Sequence, residues 1–89
     1  MYDEDIRKIV KNISFIKYKM HESIIKENDD NKEIYYLLSG SVRVIVGTNA
    51  LGIVEKGNIF GEFSSITGET RSATIKANDQ NVTVLRFNF

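Results

Sequence analysis

The spacing of hydrophobic and polar positions changes about a dozen residues into the chain. Near the N-terminus, four apolar residues follow the i, i+3, i+4, i+7 spacing of one helix face: Ile6, Ile9, Val10 and Ile13. Acidic residues 3–5 precede them, in the first turn, where negative charge suits the helix dipole. The pattern predicts a short amphipathic helix over residues 1–13.

Beyond residue 13, short strand-like segments alternate with clusters of turn-forming residues. The predicted strands are Ser14–Met20, Ile24–Lys26, Ile34–Leu38, Ser41–Val46, Ala50–Val54, Ser72–Ala77 and Val82–Phe87. Glycine, asparagine and aspartate concentrate between them, as in residues 27–31, 47–49 and 78–81. Short strands with frequent turns predict a mainly β fold, either a sandwich, a jelly roll or a small barrel.

Composition limits the chain to one small domain and excludes several classes of chemistry. The chain has 89 residues, of which 42% are hydrophobic and 27% charged, as in ordinary globular domains. It has no cysteine and one histidine, so disulfides, thiolate chemistry and multi-histidine metal sites are excluded. We therefore expect a single domain over residues 1–89, with no cofactor and no metal.

Charge and hydropathy also narrow the setting in which the chain works. Twelve basic and 12 acidic side chains give zero net charge, so the basic excess of a nucleic-acid-binding surface is missing. The first residues are acidic, unlike a signal peptide, and no apolar run approaches the ~20 residues of a membrane span. We expect a cytoplasmic protein that does not contact nucleic acid directly and has no membrane span in this chain.

The stretch from Phe60 to Thr70 interrupts the strand pattern and carries the candidate binding chemistry. Gly61 permits close approach of a ligand to the backbone, and a short helical turn beginning near Glu62 would present unpaired amides to an anion. Arg71 offers a planar fork of donors for a phosphate, and the Glu62 carboxylate accepts from hydroxyl groups. Together these residues indicate a ligand with one phosphate and an adjacent sugar hydroxyl.

The same stretch resembles the phosphate-binding cassette of cyclic nucleotide-binding domains. Residues 60–74 read FGEFSSITGETRSAT, and the family pattern is F-G-E, a small helix and then R-[AST]-A. The spacing from Glu62 to Arg71 equals that of protein kinase A regulatory subunits. Residues 21–29, 34–42 and 57–62 resemble three further family motifs in the same order. The resemblance covers about residues 20–87.

The resemblance implies a fold and a set of ligand contacts. The fold would be an eight-stranded β-roll over residues 14–89, with a one-turn helix in the cassette between its sixth and seventh strands. Arg71 would pair with the cyclic phosphate, and Glu62 would accept from the ribose 2′-hydroxyl. Phosphate oxygens would bind the amides of Ser64 and Ala73. The implied ligand-binding residues are Phe60, Gly61, Glu62, Phe63, Ser64, Arg71, Ser72, Ala73, Val44 and Leu51, the last two flanking the base or sugar.

Several positions depart from the family pattern. His21 and Asn28 stand where the family has glycine, and asparagine tolerates a left-handed backbone, so that turn should survive at Asn28. Ser65 replaces an apolar residue that seats the cassette helix. The family continues past its last strand into helices that cover the base, and these lid helices are absent from the sequence, which ends at Phe89.

The function that this resemblance implies is regulatory and non-catalytic. A cyclic purine mononucleotide would bind, with cAMP slightly favoured because no arginine near Leu51 is available to grip guanine, and occupancy would be relayed to an effector such as a kinase, channel or transcription factor. The alternative is a degenerate fold that binds no nucleotide and serves as a structural or docking domain. An enzyme on a double-stranded β-helix would need more histidines than the one present.

Overall fold

Eight strands and one short helix make up the part of the chain that the structure, a computed structural model, describes, namely residues 12–88. In chain order they are β1 (Asn12–Tyr18), β2 (Ser23–Ile25), β3 (Ile34–Ser39), β4 (Ser41–Val46), β5 (Asn49–Glu55), β6 (Ile59–Phe60), α1 (Glu62–Thr67), β7 (Thr74–Ala77) and β8 (Val82–Asn88). The mainly β prediction, the strand number and the position of the cassette between β6 and β7 are confirmed.

Two four-stranded antiparallel sheets form the fold. The first has the strand order β1-β8-β3-β6 and the second the order β2-β7-β4-β5. In the first sheet β8 is central, because it pairs with β1 on one side and β3 on the other. The chain therefore passes from the first sheet to the second through α1, which follows β6 and precedes β7.

Apolar side chains from both sheets meet in one core. In β3 the side chains alternate between core and surface, since Tyr35 and Leu37 are buried between more exposed neighbours. The buried core residues are Ile24, Ile25, Tyr35, Leu37, Val42, Phe60, Ile75, Ala77, Val82 and Val84. Tyr35 and Phe60 stack with their ring centroids 5.1 Å apart, which fixes the wall of the core nearest to α1.

The element boundaries differ from the sequence-based ones in two places. β6 was not predicted, because a strand of two residues is too short to show alternation. The predicted helix over residues 1–13 lies outside the described residues except for Asn12 and Ile13, which belong to β1. These two residues pair with Asn88 and Phe87 of β8, so backbone pairing extends β1 beyond the start that the pattern indicated.

Candidate functional site

A cavity of about 270 Å³ lies beside α1 and is lined by residues of both sheets. Every predicted ligand-binding residue except Leu51 lines it. Leu51, on the edge strand β5, is 66% exposed and does not contribute to the wall. The sequence-based analysis missed four apolar lining residues, namely Ile25, Val54, Ile59 and Ile75. Ile25, Val54 and Ile75 were predicted only as strand residues and Ile59 lay in no predicted strand, and only the fold determines which end of the core remains open.

Gly61 connects β6 to α1 in a conformation that a side chain would obstruct. Its φ of 82° is left-handed, and an added Cβ would lie 3.0 Å from Arg71 Nη1 and 3.0 Å from Ile25 Cδ1. The carbonyl oxygen of Glu33 would be 3.2 Å away. Glycine at this position therefore brings the Arg71 guanidinium directly against the start of α1.

The helix α1 is a compact turn bounded by two glycines. It begins at Glu62 and ends at Thr67, and the amide of Gly68 donates to the carbonyl of Ser64 over 2.9 Å. Ser64 is buried, whereas Phe63 is 59% exposed. Glu62 occupies the first turn and lines the cavity, as the sequence predicted.

The Arg71 side chain is buried and is held by neutral oxygen atoms. It is 3% exposed. Nη1 donates to the carbonyl of Gly61 over 2.6 Å, and Nη2 donates to the carbonyl of Glu33 over 2.6 Å and to Asn31 Oδ1 over 3.0 Å. The protein itself therefore fixes the guanidinium, in addition to the phosphate that the resemblance assigns to Arg71.

The positive charge of Arg71 has no carboxylate partner among the described residues. The ion pair found there joins Arg86 and Glu33, and no carboxylate oxygen comes within 4 Å of the Arg71 guanidinium. Burial lowers the pKa of Arg71, because removal from water penalises the charged form, while Tyr35, Asp29 and Glu33 act in the opposite direction. Arg71 Nε is buried and has no hydrogen-bond partner within residues 12–88. The cavity therefore contains a cation that no carboxylate of the described residues pairs with directly, and nearby Asp29 and Glu33 offset its burial only in part.

The loop between β2 and β3 surrounds Arg71 and fixes its backbone as well. The amide of Arg71 donates to the carbonyl of Asp29 over 2.7 Å, and the amide of Asn28 donates to the carbonyl of Arg71 over 2.8 Å. Asn31 and Glu33 supply the side-chain and carbonyl acceptors described above. The contact with Asn31 could not be predicted from the sequence, because residues 40 positions apart come together only through the fold.

Comparison with known proteins shows the family to which the chain belongs. The family model of the cyclic nucleotide-binding domain matches residues 15–89. The chain belongs to the cyclic nucleotide-binding domain family. The cavity beside α1 therefore coincides with the segment in which the sequence resembles the family's phosphate-binding cassette.

Individual relatives of this cyclic nucleotide-binding domain come from protein kinases. The cGMP-dependent protein kinase of Toxoplasma gondii is 33% identical over 85 residues, which are 94% of this chain and 9% of the kinase. That of Plasmodium berghei is 32% identical over 80 residues, which are 89% of this chain and 9% of the kinase. The chain thus spans about a tenth of the length of these curated relatives.

Among solved structures, the regulatory subunit of a cAMP-independent protein kinase A from Trypanosoma brucei has a TM-score of 0.81. It is 22% identical, and the match covers 85% of this domain and 28% of that chain. At this identity the likeness supports the fold. Within residues 12–88, no helix has the length and apolar character needed to cross a bilayer.

Proposed function

We propose that this domain binds a cyclic purine mononucleotide in the cavity beside α1. The observation that carries the proposal is Arg71, which is 3% exposed, has no carboxylate partner among the described residues and lines the cavity. A buried, uncompensated cation is costly, and a bound anion would offset that cost. One cyclic phosphate, with a single negative charge, matches the one guanidinium among the described residues that line the cavity.

The remaining contacts follow from the residues that line the same cavity. Arg71 pairs with the phosphate, the amides of Ser64 and Ala73 donate to its oxygens, and Glu62 accepts from the ribose 2′-hydroxyl. The apolar wall contributed by Val44, together with Phe60 and Phe63, accommodates the base and sugar. Charge-assisted hydrogen bonds of roughly 1.5–3 kcal/mol each would give an affinity in about the micromolar range when three or four form.

Three observations bear on the choice of base. Residues 47–55, around Leu51, contain no arginine for guanine, which favours cAMP slightly. The curated relatives are named cGMP-dependent kinases, and the exposed Ser72 at the cavity supplies a hydroxyl that could hydrogen-bond guanine. We therefore propose a cyclic purine nucleotide as the ligand class, and the titration described below compares the two bases directly.

Binding would act by differential affinity, in the cytoplasm. The nucleotide would favour one placement of α1 and its flanking segments, and an effector would respond to that placement. Because the curated relatives are kinases, we favour a kinase as the effector.

The test is calorimetric titration of the chain with cAMP, cGMP and 5′-AMP. We expect saturable binding of a cyclic nucleotide and much weaker binding of 5′-AMP. Arg71→Ala should weaken cyclic nucleotide binding at least about 100-fold, because two charged hydrogen bonds are worth about 3 kcal/mol or more. Arg71→Lys keeps the charge but loses the planar fork, so its affinity for the cyclic nucleotide should lie between those of the wild type and Arg71→Ala.

The matched control is Arg43→Ala, since Arg43 lies on β4 outside the cavity lining and its side chain contacts His21. This variant should bind as the wild type does. Circular dichroism and melting curves verify that each variant is folded. If the folded wild type binds no cyclic nucleotide at millimolar concentration, the proposal fails and the alternative of a docking domain is favoured.

A further inference from the structure

Two neighbouring polar side chains of the β2–β3 loop are divided between two arginines. Asn31 Oδ1 accepts from Arg71 Nη2 over 3.0 Å, whereas Glu33 Oε2 lies 3.2 Å from Arg86 Nε on β8. The two side chains also bind each other, since Asn31 Nδ2 donates to Glu33 Oε1 over 2.9 Å. The Asn31 side chain thus contacts Arg71, which lines the cavity, and the Glu33 carboxylate contacts Arg86, which does not line it.

This division determines how much charge Arg71 retains. All three acceptors of its Nη atoms are neutral: the carbonyls of Gly61 and Glu33 and the side-chain oxygen of Asn31. A neutral acceptor orients the guanidinium without cancelling its charge. A carboxylate in the same place would form a charge-assisted pair and would compete with an incoming phosphate.

The loop has carboxylates that could have filled this role but are directed elsewhere. Asp29 Oδ1 accepts from the backbone amide of Asn31 over 3.3 Å. The Glu33 carboxylate is bound by Arg86 and by the side-chain amide of Asn31. The Asn31 oxygen is itself fixed by the amide of Glu33, which donates to it over 2.8 Å. Asn31 is therefore rigidly held with its oxygen toward Arg71.

We infer that Asn31 is a positioning residue that holds the Arg71 guanidinium while leaving its charge to the ligand. Glu33 contributes by holding the Asn31 amide and by keeping its own carboxylate against Arg86. This inference rests on the proposed function, because the ligand that benefits is the cyclic phosphate. It adds a determinant of affinity that lies outside the cassette.

The test exchanges the two side chains in the double variant Asn31→Asp/Glu33→Gln. The exchange leaves the net charge unchanged and keeps an amide–carboxylate pair, but it places the carboxylate against Arg71. We expect the Kd for cAMP and cGMP to rise at least about tenfold, equivalent to about 1.4 kcal/mol. Glu33→Gln alone takes the carboxylate away from Arg86 without placing one against Arg71, so its Kd should rise less than that of the double variant. The matched control is Glu55→Gln, at an exposed position of β5 outside the cavity lining, and its Kd should stay within about twofold of the wild type.

Adenosine, which lacks the phosphate, distinguishes a charge effect from a collapsed cavity. Its binding, followed by NMR titration, should be unchanged in the exchange variant. An equal loss for adenosine and cAMP, or a folded exchange variant with wild-type affinity, would overturn the inference. If the exchange variant does not fold, Asn31→Asp alone places the same carboxylate against Arg71 and is judged by the same outcomes. A wild type that binds neither cyclic nucleotide would overturn the proposed function together with the inference. A wild type that binds while the exchange variant keeps its affinity would overturn the inference alone.

Discussion

His21 and Asn28 adopt a left-handed backbone although neither is glycine. Their φ angles are 73° and 72°. L-residues other than glycine pay a steric cost in this region, and asparagine pays less than most because its short polar side chain can hydrogen-bond locally. Both residues stand where the family has glycine, so the prediction that the turn at Asn28 survives is confirmed.

Asn28→Gly should therefore stabilise the domain. We expect the free energy of unfolding to rise by about 0.5–1 kcal/mol, because glycine adopts this φ without the steric cost of a Cβ. The measurement is urea unfolding followed by circular dichroism. Asn81→Gly is the matched control, because Asn81 is exposed and has no positive φ, and it should instead lower stability through chain entropy. Equal shifts in both variants would contradict the prediction.

At the level of elements, α1 is defined by the glycines at its two ends. Both have left-handed φ angles, 82° at Gly61 and 77° at Gly68, yet their surroundings differ. A Cβ at Gly61 would meet Arg71, Ile25 and Glu33, whereas a Cβ at Gly68 would have no atom within 4 Å. The two positions thus separate the cost of backbone strain from the cost of displacing the cavity arginine.

Gly61→Ala and Gly68→Ala form a pair that tests this difference. Gly68→Ala should lower the free energy of unfolding by about 1 kcal/mol through strain alone. Gly61→Ala should cost more than about 2 kcal/mol, because overpacking adds roughly 1–3 kcal/mol, and it should also weaken nucleotide binding. Unfolding curves and calorimetric titration measure the two effects. Gly61→Ala with wild-type affinity would show that Arg71 is not displaced.

The elements show which parts of the fold local sequence determines. The strand-like segment Ile34–Leu38 and the turn residues 27–31 before it were sufficient to place β3. β6 escaped notice because two residues carry no period. The exposure of Leu51 also could not be predicted, since its position depends on β5 lying at the edge of its sheet.

For the whole molecule, the site combines a local segment with contacts that only the fold creates. The cassette residues Gly61, Glu62 and Arg71 lie within one short stretch, so their motif could be read from the sequence. The contacts of Asn31 and Glu33 with Arg71 span about 40 residues and depend on the loop between β2 and β3 folding over β7's N-terminal end. Hydrogen bonds between residues so far apart in the chain produce no periodicity or motif spacing in the sequence.

Arg71 also joins the two sheets to each other. Its backbone lies just before β7 of the second sheet, while its guanidinium donates to the carbonyls of Glu33 and Gly61, which border β3 and β6 of the first. Opening either sheet fully would break these hydrogen bonds and leave the Arg71 guanidinium without its acceptors. The two sheets should consequently behave as one cooperative unit.

Native-state amide hydrogen exchange would measure this cooperativity. We expect the protected amides of β3 and β7 to share one opening free energy in the wild type, because the hydrogen bonds of Arg71 make the two sheets open together. In Arg71→Ala, the second sheet should open at lower free energy than the first, so that the two sets of exchange rates separate. Rates that remain equal in that variant would mean that core packing alone couples the sheets. If the rates separate instead, Arg71, the residue proposed to bind the phosphate, also sets how slowly the two halves of the β-roll exchange their amide protons with water.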